Sequence, residues 1–365
     1  MKHSELLAIL GCCIQGNKAR LVCLVNFIIA IFVTRTVNLV ELATAVSSKT
    51  KVSSRHMRLR RFLQSGFLSQ ECIAILLWDL FNFESSPVLL TLDRTNWRWG
   101  KRDINILTLA VVHKGIAVPL FWSFLSKKGC SNWRERIELL ERFLKLFGKK
   151  RIAGLVADRE FVGKEWLGYL HDNGIAFDIR VKNNQLSTTS SGKETTLDAL
   201  FYGVKPGEHR VISGKRKISG HELFLSGTMT QAGEYLIIAS SQDHEHALER
   251  YSQRWQLETL FQALKSRGFN FEDTHITMPE RLNALTCILS LCFSLAHLVG
   301  EWRHEQKPIK ILKHGRPQQS LFRYGYDWVR DKLLNACVTA KDFAEGVAES
   351  LGVRRFEWKN SYVRI

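Results

Sequence analysis

A chain of 365 residues has room for two or three domains around a sizeable core. With 45% hydrophobic and 24% charged residues it has the make-up of a folded protein, which excludes a disordered or fibrous chain. Lys and Arg number 52 against 35 Asp and Glu, a net of +17 at pH 7, and such a field attracts polyanions, nucleic acid first among them.

Residues 1–85 read as a helical, basic, DNA-binding region. An apolar helix is expected from Ala19 to Arg35. A second, amphipathic helix is expected from Val37 to Val46, where Leu39, Leu42, Ala43 and Val46 recur at helical spacing. After the polar break Ser47–Thr50, a third is expected from Ser53 to Leu63, with Ser53 or Ser54 as its cap. Arg55, Arg58 and Arg61 fall at i, i+3 and i+6 and line one face of it. Two helices followed by an arginine-rich one suggest a helix-turn-helix-like module whose DNA contacts are Arg55, Arg58 and Arg61. A solvated basic helix is the plainer alternative.

The pattern changes after Ser85-Ser86-Pro87, and residues 86–182 read as the first part of an α/β core. Val88 to Leu92 is an apolar strand ending at Asp93, and Ile104–Val112 and Ala117–Leu125 are strands joined by a turn at Lys114-Gly115. A helix over 133–147 follows, then a strand Ile152–Ala157 ending at Asp158, a helix Lys164–Asp172 and a strand Ile175–Val181. This order predicts a ribonuclease-H-like α/β catalytic core. Residues 183–240, rich in Gly, Ser and Thr with short alternating runs, predict a β-rich insertion. The helical pattern resumes near His244, so that 241–300 reads as the second part of the core and 301–365 as a helical C-terminal region.

Two apolar runs, Leu21–Val33 and Ala284–Val299, fall short of the roughly 20 residues that span a bilayer, so both are expected to be buried core helices without a membrane role. The eight cysteines, from the adjacent Cys12 and Cys13 to Cys337, form no CxxC pair, and a reducing cytosol is the expected compartment.

Asp93 and Asp158 each end a predicted strand, the edge of an α/β sheet where reacting groups collect. Either alone would more simply be a turn or cap residue. Two carboxylates brought together there repel unless a cation lies between them, and Mg²⁺ is a hard ion suited to such oxygens. The segment from Tyr251 to Lys265 adds a third acid. At about 100° per residue, a continuous helix would place Tyr251, Arg254, Glu258 and Lys265 within an arc of about 60°. Leu257, Leu260, Phe261 and Leu264 would form an apolar stripe beside it. An acid flanked by two cations and a phenol suits a metal ligand whose neighbours hold phosphates. Arg254 and Glu258 alone would make an ordinary i,i+4 ion pair.

Tyr251, Arg254, Glu258 and Lys265, with two, three and six residues between them, match the YREK signature of a large bacterial insertion-sequence transposase family. Leu92-Asp93-Arg94-Thr95-Asn96-Trp97 and Ala157-Asp158-Arg159-Glu160-Phe161 are similar to the acidic blocks of the same family. The resemblance covers roughly residues 50–300. It implies a DDE transposase in which Asp93, Asp158 and Glu258 are catalytic and bind two Mg²⁺ ions, with Mn²⁺ tolerated in their place. Tyr251, Arg254 and Lys265 would contact DNA near the cut. The implied partners are double-stranded DNA, as element ends and as target, and a second copy of the chain in a synaptic complex. Many such enzymes pass through a hairpin, and relatives stack a tryptophan of the insertion on a flipped base. Residues 183–240 hold no Trp, which leaves Phe201, Tyr202, Phe224 and Tyr235 for that role. The alternatives are a transposase-derived DNA-binding protein without catalysis and a metal-dependent nuclease of the same fold. RNA binding would call for an aromatic-rich recognition motif that the sequence does not show.

Overall fold

The computed structural model describes residues 2–335 except 190 and 244. Five helices come first: α1 (Lys2–Cys13), α2 (Lys18–Thr34), α3 (Leu39–Ala45), α4 (Val52–Leu63) and α5 (Gln70–Leu80). Asn17, Asn38 and Ser69 each accept a backbone N–H of the first turn that follows and so cap α2, α3 and α5. Neither Ser53 nor Ser54 caps α4. Its cap is the extended Lys51, which makes no side-chain cap bond, and the two serines already lie inside the first turn.

The core follows in the expected order: β1 (Val88–Trp99), β2 (Arg102–His113), β3 (Ile116–Phe124), α6 (Trp133–Phe147), β4 (Ile152–Ala157), α7 (Lys164–Asp172) and β5 (Phe177–Val181). Lys114 and Gly115, both at positive φ, make the two-residue turn between β2 and β3. Asn132 and Glu135 close a capping box at the start of α6. Next come β6 (Leu186–Thr188), β7 (Glu194–Thr196), α8 (Leu197–Leu200), β8 (His209–Ile218), β9 (His221–Met229) and β10 (Tyr235–Ser240). The chain continues through α9 (Ala247–Ser252), α10 (Trp255–Leu264), α11 (Pro279–Gln306) and α12 (Leu321–Leu334).

All ten strands form one sheet in the order β3-β2-β1-β4-β5-β10-β9-β8-β6-β7. β1, β2 and β3 pair antiparallel, whereas β1, β4 and β5 pair parallel. An antiparallel meander continued by parallel strands with helical crossovers is the ribonuclease-H-like arrangement. β10 pairs antiparallel with β5, so the strands between the two parts of the core extend the same sheet.

The chain divides into two compact units, one made of residues up to Phe81 and from Gln262 onward, the other of Asn82–Phe261. The second unit holds the whole sheet. In the first, α11 packs against α12, α5, α2 and α4. At 28 residues α11 is longer than the apolar run in the sequence and, by length and composition, could cross a membrane. Yet 94% of its most apolar window is buried in protein, as in a core helix. α2 and α3 pass the same test only as a pair bent by 100°. Gly300 of α11 and Gly325 of α12 let these helices touch through their backbones. A Cβ on Gly300 would strike the Leu321 carbonyl, and one on Gly325 the Ala296 carbonyl. Of the helical region expected over 301–365, residues 307–320 form turns and 336–365, with Cys337, lie outside the described residues, as does His244.

Candidate active site

The parallel ladder between β1 and β4 ends at the pair Leu92 and Ala157, so Asp93 and Asp158 are the next residues on adjacent strands. Asp93 does not end its strand. β1 runs on to Trp99 because Thr95 and Trp97 still bury their side chains and the pairing with β2 continues. The expectation of a strand end holds for the parallel ladder alone. Asp158 does follow β4, and its carboxylate accepts the backbone N–H of Arg159 at 2.8 Å.

The single helix expected over 251–265 is two helices, α9 and α10, joined at Gln253 and Arg254. Bonds from Arg254 N to the Tyr251 carbonyl and from Leu257 N to the Arg254 carbonyl carry the chain through the break. A side chain as polar as Arg254, buried to 5% exposure, must find partners, and the break turns it inward to them. Its Nη1 donates to Asp93 Oδ2 at 3.0 Å and its Nη2 to Glu258 Oε1 at 2.9 Å. Its Nε donates to the Tyr251 hydroxyl at 3.2 Å, and that hydroxyl donates to Asp158 Oδ1 at 3.3 Å. One guanidinium and one phenol therefore tie together the three acids from β1, the end of β4, and α10. The Tyr251 ring is seated on Ile238 of β10 beside Ala247.

Burial is the main force on Asp93: it pushes the carboxyl up to about 6 from 3.8, helped by the charges of Asp158 and Glu160 and opposed by the Arg94 N–H and by Arg254. Burial likewise pushes the Tyr251 phenol up to about 12, so it stays a hydrogen-bond donor at neutral pH. For Arg254, burial alone would lower the guanidinium, but Tyr251, Asp158, Asp93 and Glu258 raise it on balance. A measurable consequence attaches to Asp93. Its folded pKa is raised, so its contribution to stability is fully present below pH 3.8 and is lost as pH rises through about 6. Urea titrations from pH 4 to 7 without divalent metal should show Asp93→Asn gaining on wild type across this window, by on the order of 2 kcal/mol. A constant difference would mean that Asp93 ionises as freely as in the unfolded chain.

Several residues that support this site had no role assigned from the sequence. Arg94, next to the first acid, bonds Glu160, two residues after the second, through Nε at 3.3 Å and Nη2 at 3.2 Å, which ties β1 to the turn after β4. Arg250 of α9 grips Asp178 of β5 through Nε at 2.6 Å and Nη2 at 3.0 Å, and so fixes the helix that carries Tyr251. The available signal was an aspartate inside an apolar strand run, which calls for a buried cation. Gln256 accepts the backbone N–H of His113 at 3.0 Å and anchors the start of α10 to the end of β2.

The remaining expected residues fall elsewhere. Lys265 follows α10, belongs to the other unit, and pairs with Glu272 at 2.8 Å. Arg55 turns back onto carbonyls at and after the end of α3, reaching Val46, Ser48 and Thr50 at 2.8–3.0 Å. Arg58 and Arg61 are exposed and line an open groove of about 840 Å³ with Asn17, Lys18, Arg20 and Asn26. Among the described residues, no acidic one lines it. Of the insertion aromatics, Phe201 is buried and Phe224 and Tyr235 are half-buried, whereas Tyr202 is 82% exposed.

Residues 134–295 match the family model of the transposase DDE domain, a stretch that contains Asp158, Tyr251, Arg254, Glu258 and Lys265. The match, together with the fold, supports a transposase. A solved structure similar to this chain is the cryo-EM structure of the piggyBac transposase synaptic complex with hairpin DNA. It shares 14% identity and a TM-score of 0.42 over 95% of this chain and 82% of that one. A search of curated proteins found no relative.

Proposed function

We propose that this chain is a DDE transposase that binds insertion-sequence ends, cleaves DNA phosphodiester bonds with Mg²⁺, and joins the freed strands to target DNA. The observation that carries the reading is the meeting of Asp93, Asp158 and Glu258 around Arg254 and Tyr251. In chemistry the donor set suits a hard divalent cation, with Arg254 and Tyr251 lying between the acids in this arrangement. Three carboxylates offer oxygen ligands, and burial raises the Asp93 carboxyl above its ordinary value, so a nearby cation would favour its ionised form. Bound there, Mg²⁺ or Mn²⁺ would supply Lewis-acid activation of the scissile phosphate and of the attacking oxygen.

The protein's own contribution is orientation. Asp93 and Asp158 are held by the β1/β4 register and by backbone N–H groups, and Glu258 by a helix anchored to β2. In cleavage, water attacks phosphorus and the 3′-oxygen leaves. In strand transfer, the freed 3′-hydroxyl attacks a target phosphodiester, loses its proton, and displaces a target 3′-oxygen. The reading assigns Arg58 and Arg61, with Lys18 and Arg20 in the same groove, to phosphates of the element end. It assigns Tyr202 to base stacking and Lys265 to DNA near the cut. Two copies of the chain would hold the paired ends.

The test is cleavage and joining of a labelled duplex carrying the element's own ends, in Mg²⁺ and in EDTA. Metal-dependent joined product is expected from wild type and none from Asp158→Ala. Hydrolysis without joining would make the protein a nuclease, and binding without cleavage would make it a DNA-binding protein derived from a transposase.

A further inference from the structure

The resemblance to the insertion-sequence family puts Arg254 on DNA, yet its guanidinium is directed entirely inward. Its side chain is buried, and three of its nitrogens donate to Asp93, Glu258 and Tyr251. A phosphate could not reach it without displacing those bonds. We infer that Arg254 is an internal counter-ion that holds the three acids together until a divalent cation displaces it, and that its release hands the guanidinium to a DNA phosphate. The inference rests on the proposed transposase reading, since it takes the acids as metal ligands.

Four features favour exchange over a fixed structural role. Asp93 Oδ1 already accepts the Arg94 N–H at 2.7 Å, so Oδ2, the oxygen Arg254 holds, is the one better placed to turn to a cation. A guanidinium and a divalent ion sharing the same oxygens repel strongly even at the effective dielectric of a protein. Arg254 also lies at the break between α9 and α10, where its backbone is held by i,i+3 bonds to Tyr251 and Leu257 in place of the i,i+4 ladder of a continuous helix. Beside it, Trp255 is 61% exposed, and the guanidinium carbon is 5.6 Å from its ring, which gives the side chain an aromatic face to follow toward the surface.

Exchange of partners makes a thermodynamic demand. If metal frees Arg254 for phosphate, metal must tighten DNA binding, and DNA must tighten metal binding by the same factor. Arg254 is then a positioning residue in the metal-free protein and a phosphate ligand in the loaded one.

Calorimetric titration with Mn²⁺ alone, without DNA, tests the first half. Arg254→Gln, which keeps a hydrogen-bonding side chain but removes the charge, is expected to bind Mn²⁺ about tenfold more tightly than wild type. For the second half, Ca²⁺ should strengthen wild-type binding to a fluorescent duplex, and Arg254→Gln should lose that dependence. Equal or weaker Mn²⁺ binding by Arg254→Gln would overturn the inference and leave the metal site standing. Absence of Mn²⁺ binding by both proteins would overturn the reading of the acids as metal ligands as well. Should Arg254→Gln fail to fold, Arg254→Lys decides. Its single ammonium cannot span two carboxylates, so tighter Mn²⁺ binding than wild type supports exchange and equal or weaker binding refutes it.

Discussion

If the chain is the transposase proposed above, replacing Glu258 with glutamine is expected to lower metal-dependent DNA cleavage about a thousandfold or more, with the fold and duplex binding retained. The substitution removes one charge from the acidic set and leaves its shape unchanged. A glutamine Oε1 still accepts from Arg254 Nη2, and the Glu258 side chain is 34% exposed, so no cavity opens and no buried cation is stranded. Three decades of rate correspond to about 4 kcal/mol of lost transition-state stabilisation, the size expected when a metal site loses a charged ligand. Cleavage of a labelled duplex, thermal melting and a gel-shift titration measure the three quantities separately. Activity within tenfold of wild type would remove Glu258 from the catalytic set.

The largest loss of stability is expected at Asp178, outside the acidic trio. Asp178→Ala leaves the Arg250 guanidinium without its two-pronged partner in a site where Asp178 itself is 3% exposed. Breaking a buried pair from one side costs about 3–5 kcal/mol. The lower end applies here, because Arg250 is partly exposed and keeps the solvent-facing Asp243 at 3.4 Å. Urea denaturation measures the loss. The double variant Asp178→Ala/Arg250→Ala should recover part of it, because the stranded charge goes with its partner. Cleavage should fall as well in Asp178→Ala, since α9 carries Tyr251. A loss below about 1 kcal/mol would place the pair among ordinary surface bridges.

How far the sequence reached follows from what sets each feature. The order of strands and helices from Val88 to Val181 is written in local apolar runs, and it stands in the structure element for element. Asp93, Asp158 and Glu258 stand out by residue type and spacing, and the structure links all three through Arg254 and Tyr251. The break at Gln253 and Arg254 was not legible. It depends on a buried guanidinium seeking partners on β1, about 160 residues away in the chain, which no local periodicity encodes. The same holds for Arg94 with Glu160 and Arg250 with Asp178, pairings made only once the parallel register exists. The pairing of β10 with β5 was equally hidden, because alternation marks a strand but does not name its neighbour. Arg55 lies in α4 with Arg58 and Arg61, as the spacing implies, but what its guanidinium bonds was not legible: carbonyls after α3 take it.

The division of the chain also bears on its synthesis. The sheet unit is a single continuous stretch, Asn82–Phe261, whereas the other unit draws on both ends. Phe32 of α2 rests on Phe269 and on Tyr326 of α12, so its cover is translated long after it. At ribosomal speeds of about 5–20 residues per second, α2 leaves the ribosome roughly 15–60 s before α12 exists. The sheet unit can complete itself in that interval while one of the most apolar helices of the protein waits on the nascent chain, so chaperone capture during translation should concentrate on α2.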